Sequence, residues 1–319
     1  MKTVAIALSV LTLNIAGPRR VHQGWQTRRA ALAARLQAES ADAAAFQDIW
    51  RAEDLAALSQ AAGFQSTVQD LPLGLAVASR LPIVASSRRD LGWDGGALRA
   101  RIVLAGRAAD VYSVRLDPGA DAPAAARRLA QLFDLAEFIR AESTGSFVLL
   151  GDFAASPEEP ELPLFLDMLG ARDLCMPHGD DVCGRTFEDR RVDYAIIPYS
   201  SSPPRENARA AFTEAAADGD EGPLSAHFGL AARLDSAWTR LASAAEPDGR
   251  LEALATAVDA LDAARADTDA RARDAGLVAW RGARRSLQAR AESMRLAAAA
   301  ERARTALSRA VKPFPSRYE

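Results

Sequence analysis

Four residues, Gly151-Asp152-Phe153-Ala154, give the first indication of chemistry in this chain of 319 residues. They follow an apolar run at residues 147–150, which is typical of a buried strand. A carboxylate at the carboxyl end of a buried strand is a common component of metal and catalytic sites in α/β proteins. A plain turn after a strand would also use Gly-Asp, so other parts of the chain must decide between the two interpretations.

Other polar residues stand beside apolar runs in the same way. Asn14 ends a run that begins near residue 3, and Asp48 follows Gln47 at the end of another. Arg115 lies near the end of the run at 109–116, and two later runs begin near Asp193 and His227. Because strand ends meet at the edges of a sheet, such side chains can converge on one site.

In order along the chain, these segments resemble the motifs of the endonuclease/exonuclease/phosphatase superfamily. That superfamily includes DNase I-like nucleases, apurinic endonucleases, sphingomyelinases and inositol-phosphate phosphatases. The resemblance runs from residue 3 to about residue 233. Its matches are Gly-Asp-Phe-Ala for the family's Gly-Asp-Phe-Asn, Arg191-Val192-Asp193-Tyr194 for Arg-Ile-Asp-Tyr, Ser225-Ala226-His227 for Ser-Asp-His, Gln47-Asp48 for Gln-Glu, residues 74–83 for Gly-apolar-Ser-Arg-Pro-Ile, and Arg115 for the histidine of Thr-His-Leu.

The resemblance implies an α/β fold for residues 1–233: a four-layer α/β sandwich of two mixed sheets flanked by helices. Alternation of apolar runs with Ala/Leu/Arg-rich stretches also favours α/β. The predicted strands are 3–13, 43–49, 75–79, 99–104, 109–116, 147–151, 192–197 and 228–233. The predicted helices are 25–39, 52–62, 122–143 and 160–169.

The resemblance also implies roles for the site residues. Asp48, Asp152 and Asn14 correspond to ligands of a divalent ion, normally Mg²⁺ (or Mn²⁺), which polarises the phosphate. His227 and Asp193 correspond to a pair that supports attack by water, with Asp152 as the third catalytic residue. Arg115 and Asn14 are the predicted substrate-binding residues. For Arg115 the reason is that a guanidinium can bind phosphate through two hydrogen bonds.

Several family residues are replaced. Ala154 and Ala226 cannot supply the amide and the carboxylate of the family motifs, and Asp48 reaches about 1.5 Å less far than a glutamate. We therefore expect the ion to bind weakly if at all. Two functions lead: a metal-dependent phosphoesterase with a remodelled, weakened site, or a catalytically inactive pseudoenzyme that acts as a phospho-ligand-binding or assembly module. Different chemistry on the same scaffold is the third alternative, because a fold does not determine a function. An acidic segment at 218–221 is a candidate source of a replacement ligand.

Composition narrows the partners. The chain is 49% hydrophobic and 25% charged with a net charge of −3, as expected for a globular protein with a large core. Nucleic acid remains a possible ligand but is not favoured, since proteins that track many phosphates usually carry a basic face. A phosphorylated small molecule or a lipid head group is the favoured ligand, and the spacing of Arg128 and Gln131, which resembles that of sphingomyelinases, agrees with it. Positive charge is almost entirely arginine, which together with the alanine content indicates a bacterial, GC-rich genome.

Composition changes after about residue 234. Residues 234–319 are rich in Ala, Arg, Leu and Glu, and Leu251, Leu254, Val258 and Leu261 have heptad-like spacing. We predict a short helix and then a helical hairpin that meets near residues 274–276. It is either a packed appendage or, through residues 250–312, a contact for a homo-oligomer or a protein partner.

Two features bear on the compartment. The apolar start of the chain imitates a signal peptide, but cleavage near Ala16 would remove a central strand, so a buried strand and a cytoplasmic protein are the expectation. No other segment approaches the length of a membrane span. Cys175 and Cys183 admit zinc binding, a local disulfide or two ordinary thiols; the last is favoured because zinc sites use closer cysteine pairs.

Overall fold

The protein, described here from a computed structural model, forms two six-stranded sheets with helices on their outer faces. The structure describes residues 7–18, 23–143, 146–159, 161–176, 181–198, 207–213 and 224–235. The strands are β1 (Ala7–Asn14), β2 (Ala43–Gln47), β3 (Ser66–Asp70), β4 (Leu75–Ser79), β5 (Ile83–Gly92), β6 (Gly95–Leu104), β7 (Arg107–Arg115), β8 (Phe147–Asp152), β9 (Ala171–Asp173), β10 (Asp193–Pro198), β11 (Asn207–Ala211) and β12 (Gly229–Asp235). The helices are α1 (Gln23–Glu39), α2 (Ala52–Ala62), α3 (Ala122–Glu142) and α4 (Glu161–Leu169).

The two sheets have similar strand arrangements. The first has the order β11-β12-β1-β2-β4-β3 and the second β5-β6-β7-β8-β10-β9. Each contains one parallel pair near its centre, β1 with β2 and β7 with β8, while the other neighbours are antiparallel. A helix, α1 or α3, connects the two strands of each parallel pair, because parallel neighbours require a crossover. The two crossovers bring four strand ends to one side of the molecule.

Three apolar layers hold the sandwich together. The middle layer lies between the sheets and combines small side chains of β2 with branched residues of β7 and β8, such as Val111, Val148 and Leu150. The first outer layer packs α1 and α2 on the first sheet around Trp25 and Phe46. The second packs α3 and α4 on the other sheet. The alternation of helix, sheet, sheet and helix confirms the predicted four-layer sandwich.

Helix boundaries agree with local chemistry. The side chain of Asp121 caps α3 by accepting a hydrogen bond from the backbone N–H of Ala124, and Pro123 stands in the first turn, where its missing N–H costs nothing. Gly63 ends α2 in the left-handed conformation, with φ of 73°. The four predicted helices therefore agree with the structure to within about two residues, the usual uncertainty of helix ends.

The strand prediction missed β3, β5, β9 and β11. All four lie at sheet edges, where one row of backbone groups has no partner strand among the described residues. In β5 the exposed side chains alternate with half-buried ones, so no apolar run marks the strand. Pairing with a neighbour, rather than local hydrophobicity, creates such strands.

The two cysteines are joined by a disulfide, and no free cysteine remains. The expectation of two ordinary thiols was therefore wrong. Cys175 and Cys183 pack against Leu230 of β12, in a small cluster that brings the two sulfur atoms together. The two cysteines are eight positions apart, and this spacing alone does not distinguish a disulfide from two free thiols.

Some predictions fall outside the described residues. The helical hairpin after residue 235, its proposed partner contact at 250–312 and the acidic segment at 218–221 all belong to this group. Within the described part, the chain near the N-terminus forms strand β1 from Ala7, paired with both β2 and β12. None of the described helices is long and apolar enough to cross a membrane.

Candidate active site

The candidate site lies where the parallel pairs of the two sheets end. Asn14 is the last residue of β1 and stands in register with Gln47, directly before Asp48. In the second sheet Arg115 stands in register with Asp152. Because both parallel pairs terminate on the same side of the sandwich, their polar ends face each other across the gap between the sheets.

A matching turn fixes Asn14 and Asp152. The backbone N–H of Ala16 donates to Asn14 Oδ1 at 2.9 Å, and that of Ala154 donates to Asp152 Oδ1 at 2.9 Å. Each is a side chain that accepts from the backbone two residues later, as in an Asx turn. The remaining polar atoms meet, because Asn14 Nδ2 donates to Asp152 Oδ2 at 3.1 Å. The two sheets are thus joined by a hydrogen bond at the centre of the site.

Three residues without the freedom of glycine adopt positive φ around this point. They are Ala16 (45°), Asp48 (55°) and Ala154 (53°), each placed just after the end of a strand. Alanine in the left-handed region costs about 1–2 kcal/mol. Strain of this kind is common at functional sites, where the surrounding structure enforces it.

Strand β10 and the loop before β12 supply a histidine–aspartate pair. Asp193 opens β10 in register with Asp152, and His227 Nδ1 lies 2.9 Å from Asp193 Oδ2. The other ring nitrogen, Nε2, lies 3.8 Å from Asp152 Oδ2. The ring of Phe187 stacks on the imidazole with centroids 4.6 Å apart. The imidazole is therefore held between two carboxylates and against an aromatic face.

This environment shifts the pKa values of the site. Burial lowers the pKa of His227, but Asp193, with its charge and hydrogen bond, and then Asp152 and Asp48 outweigh it and raise the pKa to about 9. Burial raises the pKa of Asp152, and the neighbouring charge of Asp193 raises it further. Burial also raises the pKa of Asp48, against the charge of Arg115. The site thus concentrates negative charge in a poorly solvated place.

Arg115 extends from the end of β7 to Asp48. Its Nε lies 2.9 Å from Asp48 Oδ1, and its Nη1 donates to the backbone carbonyl of Asp94 at 2.7 Å. The guanidinium carbon lies 5.5 Å from the ring centre of Trp50, within cation–π range. The position of the family's histidine is therefore taken by a fixed cation that contacts the carboxylate of a predicted metal ligand.

In the part of the chain that the structure describes, one group of His and Asp side chains has the spacing of a metal site. The ligand atoms of Asp152, Asp193 and His227 all lie within 4.8 Å of one another, and all three residues are buried. This set differs from the predicted ligand set of Asp48, Asp152 and Asn14, because it includes the nitrogen of His227. Magnesium prefers oxygen ligands, and the Nδ1 edge of His227 is already used by Asp193.

The positions of the two alanine substitutions differ. Ala154 is buried beside Asp152, whereas Ala226 is exposed next to His227. Arg128 and Gln131, whose spacing suggested a lipid-like substrate, are both buried. Arg128 pairs with Glu161 and Gln131 bonds to backbone near residues 92 and 117, so both hold loops in place.

The structure brings every predicted site residue into this one region. The contacts form a continuous set: Asp193 with His227, His227 with Asp152, Asp152 with Asn14, Asn14 with Asp48, and Asp48 with Arg115. Sequence reasoning missed Trp50 and Phe187. An aromatic residue two positions after Asp48 was a usable signal for Trp50, whereas Phe187 lies in a loop without periodicity.

Comparison with known proteins agrees with this geometry. The model of the Endonuclease/Exonuclease/phosphatase family matches residues 11–210 of the chain. No curated protein sequence matches significantly.

Solved structures resemble the chain in fold. D. rerio TDP2 complexed with a single-strand DNA product has a TM-score of 0.61 at 14% identity and covers 72% of this chain and 99% of its own. The beta toxin of Staphylococcus aureus has a TM-score of 0.58 at 15% identity, with 70% and 99% covered. An endonuclease/exonuclease/phosphatase from Bacteroides vulgatus has a TM-score of 0.57 at 14% identity, with 72% and 99% covered. At these identities the likeness concerns the fold.

Proposed function

Because the chain belongs to the endonuclease/exonuclease/phosphatase family, we propose that it hydrolyses a phosphate ester with a remodelled site. One observation supports this above the others: His227 bonds to Asp193 at 2.9 Å while its second nitrogen faces Asp152 at 3.8 Å. A site that had lost all catalytic use would have no reason to keep a buried, charged triad, since burying charges costs free energy. The likeness to solved structures supports the fold, and the triad supports the reaction.

The chain's own residues divide the work as follows. Asp193 orients the imidazole by accepting from Nδ1, which leaves Nε2 directed at the cleft. With a pKa of about 9, His227 is protonated at neutral pH and donates its Nε2 proton to the leaving oxygen, while the proton of the attacking water passes to solvent and restores the imidazolium. Asp152 keeps the ring in place from the other side. Arg115 and Asn14 bind non-bridging oxygens of the phosphate.

A divalent ion fits the donor set. Asn14, Asp48 and Asp152 present oxygen atoms, and burial raises the pKa of both carboxylates, so a cation would relieve their charge. Bound there, the ion would polarise the phosphate. We expect weak binding of Mg²⁺ or Mn²⁺, in the millimolar range or poorer, because few ligands remain and Arg115 already contacts Asp48.

A second function has its own supporting observation. Ala154 and Ala226 offer no polar side chain to the cleft, and the Asp48 carboxylate is already paired with Arg115. These features fit a pseudoenzyme that binds a phosphorylated ligand without turning it over, or that serves assembly. A ligand-binding pseudoenzyme would differ from the enzyme in turnover but not in its ligand, whereas an assembly module would need neither.

For substrate, we propose a phosphorylated small molecule or a lipid head group. The acidic balance of the chain disfavours a long nucleic acid. Single-strand DNA is the runner-up, because one structurally similar protein was solved with such a product.

The test uses the full chain with bis-p-nitrophenyl phosphate and p-nitrophenyl phosphate, each with Mg²⁺, Mn²⁺ or EDTA. Turnover should fall about 10²–10⁴-fold in His227→Gln and in Asp193→Asn. A matched control is Arg209→Ala, which removes an exposed guanidinium paired with Glu39 far from the site. Equal turnover in the wild type and both site variants would contradict the proposal.

Restoration separates the two functions. Asparagine tolerates the left-handed φ of Ala154, and the exposed Ala226 leaves room for an aspartate, so Ala154→Asn with Ala226→Asp should fold. A pseudoenzyme should gain ion affinity and detectable turnover. A working enzyme should lose activity instead, since Arg115 and Ala154 belong to another arrangement. No change in ion binding or turnover would contradict both functions.

A further inference from the structure

Arg115 is held in one pose by contacts on three sides. Asp48 pairs with Nε, the carbonyl of Asp94 accepts from Nη1, and the ring of Trp50 lies beneath the guanidinium. The side chain is 13% exposed, so it is largely shielded from water but can still be reached from solvent. Within the described residues, none of these contacts uses Nη2. The Nη2 group of the guanidinium, which carries two N–H donors, is therefore available to a ligand.

The guanidinium of Arg115 already supplies the positive charge that balances the Asp48 carboxylate. The Arg115 guanidinium is the largest favourable influence on the Asp48 carboxylate, ahead of the hydrogen bond from Asn14. A divalent ion at Asp48 would have to share the carboxylate with a cation 2.9 Å away or displace it. Displacement would also break the bond to Asp94 and the contact with Trp50. Repulsion and these lost contacts both oppose an ion at Asp48.

The same guanidinium suits an anion. Arginine binds phosphate through planar, charge-assisted hydrogen bonds, and it remains charged at all pH values at which proteins fold. A guanidinium that is already oriented loses little side-chain freedom on binding. Asp152 stands in register with Arg115 on the neighbouring strand β8, and Asn14 donates to Asp152 from the other sheet.

We propose that Arg115 is the resident cation at the Asp48 position and binds the phosphate group of the ligand directly, with no divalent ion between Asp48 and the phosphate. The inference rests on the proposed function, because it keeps a phosphate ester as the ligand. It narrows the oxygen ligands left for an ion to Asn14 and Asp152. Phosphate binding should therefore persist when divalent ions are removed.

The first experiment measures binding of inorganic phosphate to the full chain by calorimetry in EDTA and again with Mg²⁺. We expect the same dissociation constant in both. Arg115→Ala should weaken binding by about 10–100-fold, the loss expected for a charge-assisted contact. Arg115→Lys keeps the charge without the planar edge and should lose less. Arg209→Ala, the matched control, should bind like the wild type, and circular dichroism checks that each variant is folded.

The second experiment measures Mn²⁺ binding by electron paramagnetic resonance. Arg115→His and Arg115→Ala should bind Mn²⁺ at least about tenfold more tightly than the wild type, because the competing charge is gone. Arg115→Lys should stay weak, which shows that charge rather than shape excludes the ion.

Two results would overturn the inference. One is phosphate binding that vanishes in EDTA and returns with Mg²⁺; the other is Arg115→Ala that binds both phosphate and Mn²⁺ as the wild type does. Failure of the proposed function looks different: phosphate would still bind through Arg115 in EDTA, but no ester would be hydrolysed with any ion. In that case the inference stands and the chain is a phosphate-binding pseudoenzyme.

Discussion

At the scale of single residues, the site depends on a few side chains that are fixed before any ligand binds. Asn14 and Asp152 are each held by a bond to their own backbone, and His227 is held by Asp193 and Phe187. Preorganised groups of this kind need no rearrangement when charge develops in a reaction. The positive φ of Ala16 and Ala154 is the cost of turning the chain sharply after each strand.

The imidazole of His227 should make stability depend on pH. Its pKa is raised from 6.5 to about 9 in the folded protein, so the folded state binds the proton more tightly than the unfolded state. The resulting stability is fully present below pH 6.5 and is lost as pH rises through 9. In EDTA, the free energy of unfolding should fall by about 3 kcal/mol across that window.

Urea unfolding at pH 6 and at pH 9.5 measures this loss. His227→Gln provides the control, since it removes the titrating ring and should flatten the dependence. A fall of the same size in His227→Gln would assign the effect to other groups.

The conformation of Ala154 can be tested separately. Its φ of 53° suits glycine better than alanine, so Ala154→Gly should raise the free energy of unfolding by up to about 1 kcal/mol. Ala155→Gly is the matched control: Ala155 has no positive φ and is buried, so glycine there should destabilise. Thermal melting should show a higher melting temperature for Ala154→Gly and a lower one for Ala155→Gly than for the wild type.

At the scale of elements, the parallel pairs and their crossovers determine where the site lies. A parallel strand must begin again at the same end as its neighbour, so β1, β2, β7 and β8 all finish on one side. Buried central strands were predictable, because both of their faces are covered and they therefore appear in the sequence as continuous apolar runs. Edge strands such as β3 and β5 were not, because their half-exposed residues carry no run of apolar side chains.

Gly151 tests the close approach of β7 and β8. A Cβ at this position would lie 2.0 Å from the carbonyl oxygen of Val114, which is backbone and cannot move aside without disturbing the pairing. Gly151→Ala should therefore lower the free energy of unfolding by more than about 3 kcal/mol. Gly63→Ala, where nothing lies within 4 Å, should cost only about 1 kcal/mol from its φ of 73°. Similar losses in the two variants would show that β7 and β8 can separate at little cost.

At the scale of the whole molecule, the sandwich is closed by pairing between distant parts of the chain. Strand β12 lies between β1 and β11. It ends at Asp235, one residue after the predicted start of the helical domain at 234–319. Both sheets, the four helices of the described residues and the candidate site thus lie within residues 7–235.

Removal of residues 236–319 should leave a cooperatively folded sandwich and change the association state. Circular dichroism melting measures the first and light scattering the second. A longer deletion from residue 228 is the contrasting control: it removes β12, exposes the edge of β1 and should prevent folding. Unchanged mass and unchanged melting after the shorter deletion would show that the tail takes no part in association.

The sequence by itself determined the buried strands, the four helices and the polar residues at the strand ends, because apolar runs and helical spacing are local properties. It also placed Asp152, Asp193 and His227 next to the strands that carry them. Only the tertiary structure decided which side chains meet. The Arg115–Asp48 pair, the disulfide and the stacking of Phe187 on His227 each join segments whose approach depends on tertiary packing. Contacts between distant segments leave no periodic trace in a sequence, because only the packing of the two sheets brings groups such as Arg115 and Asp48 together.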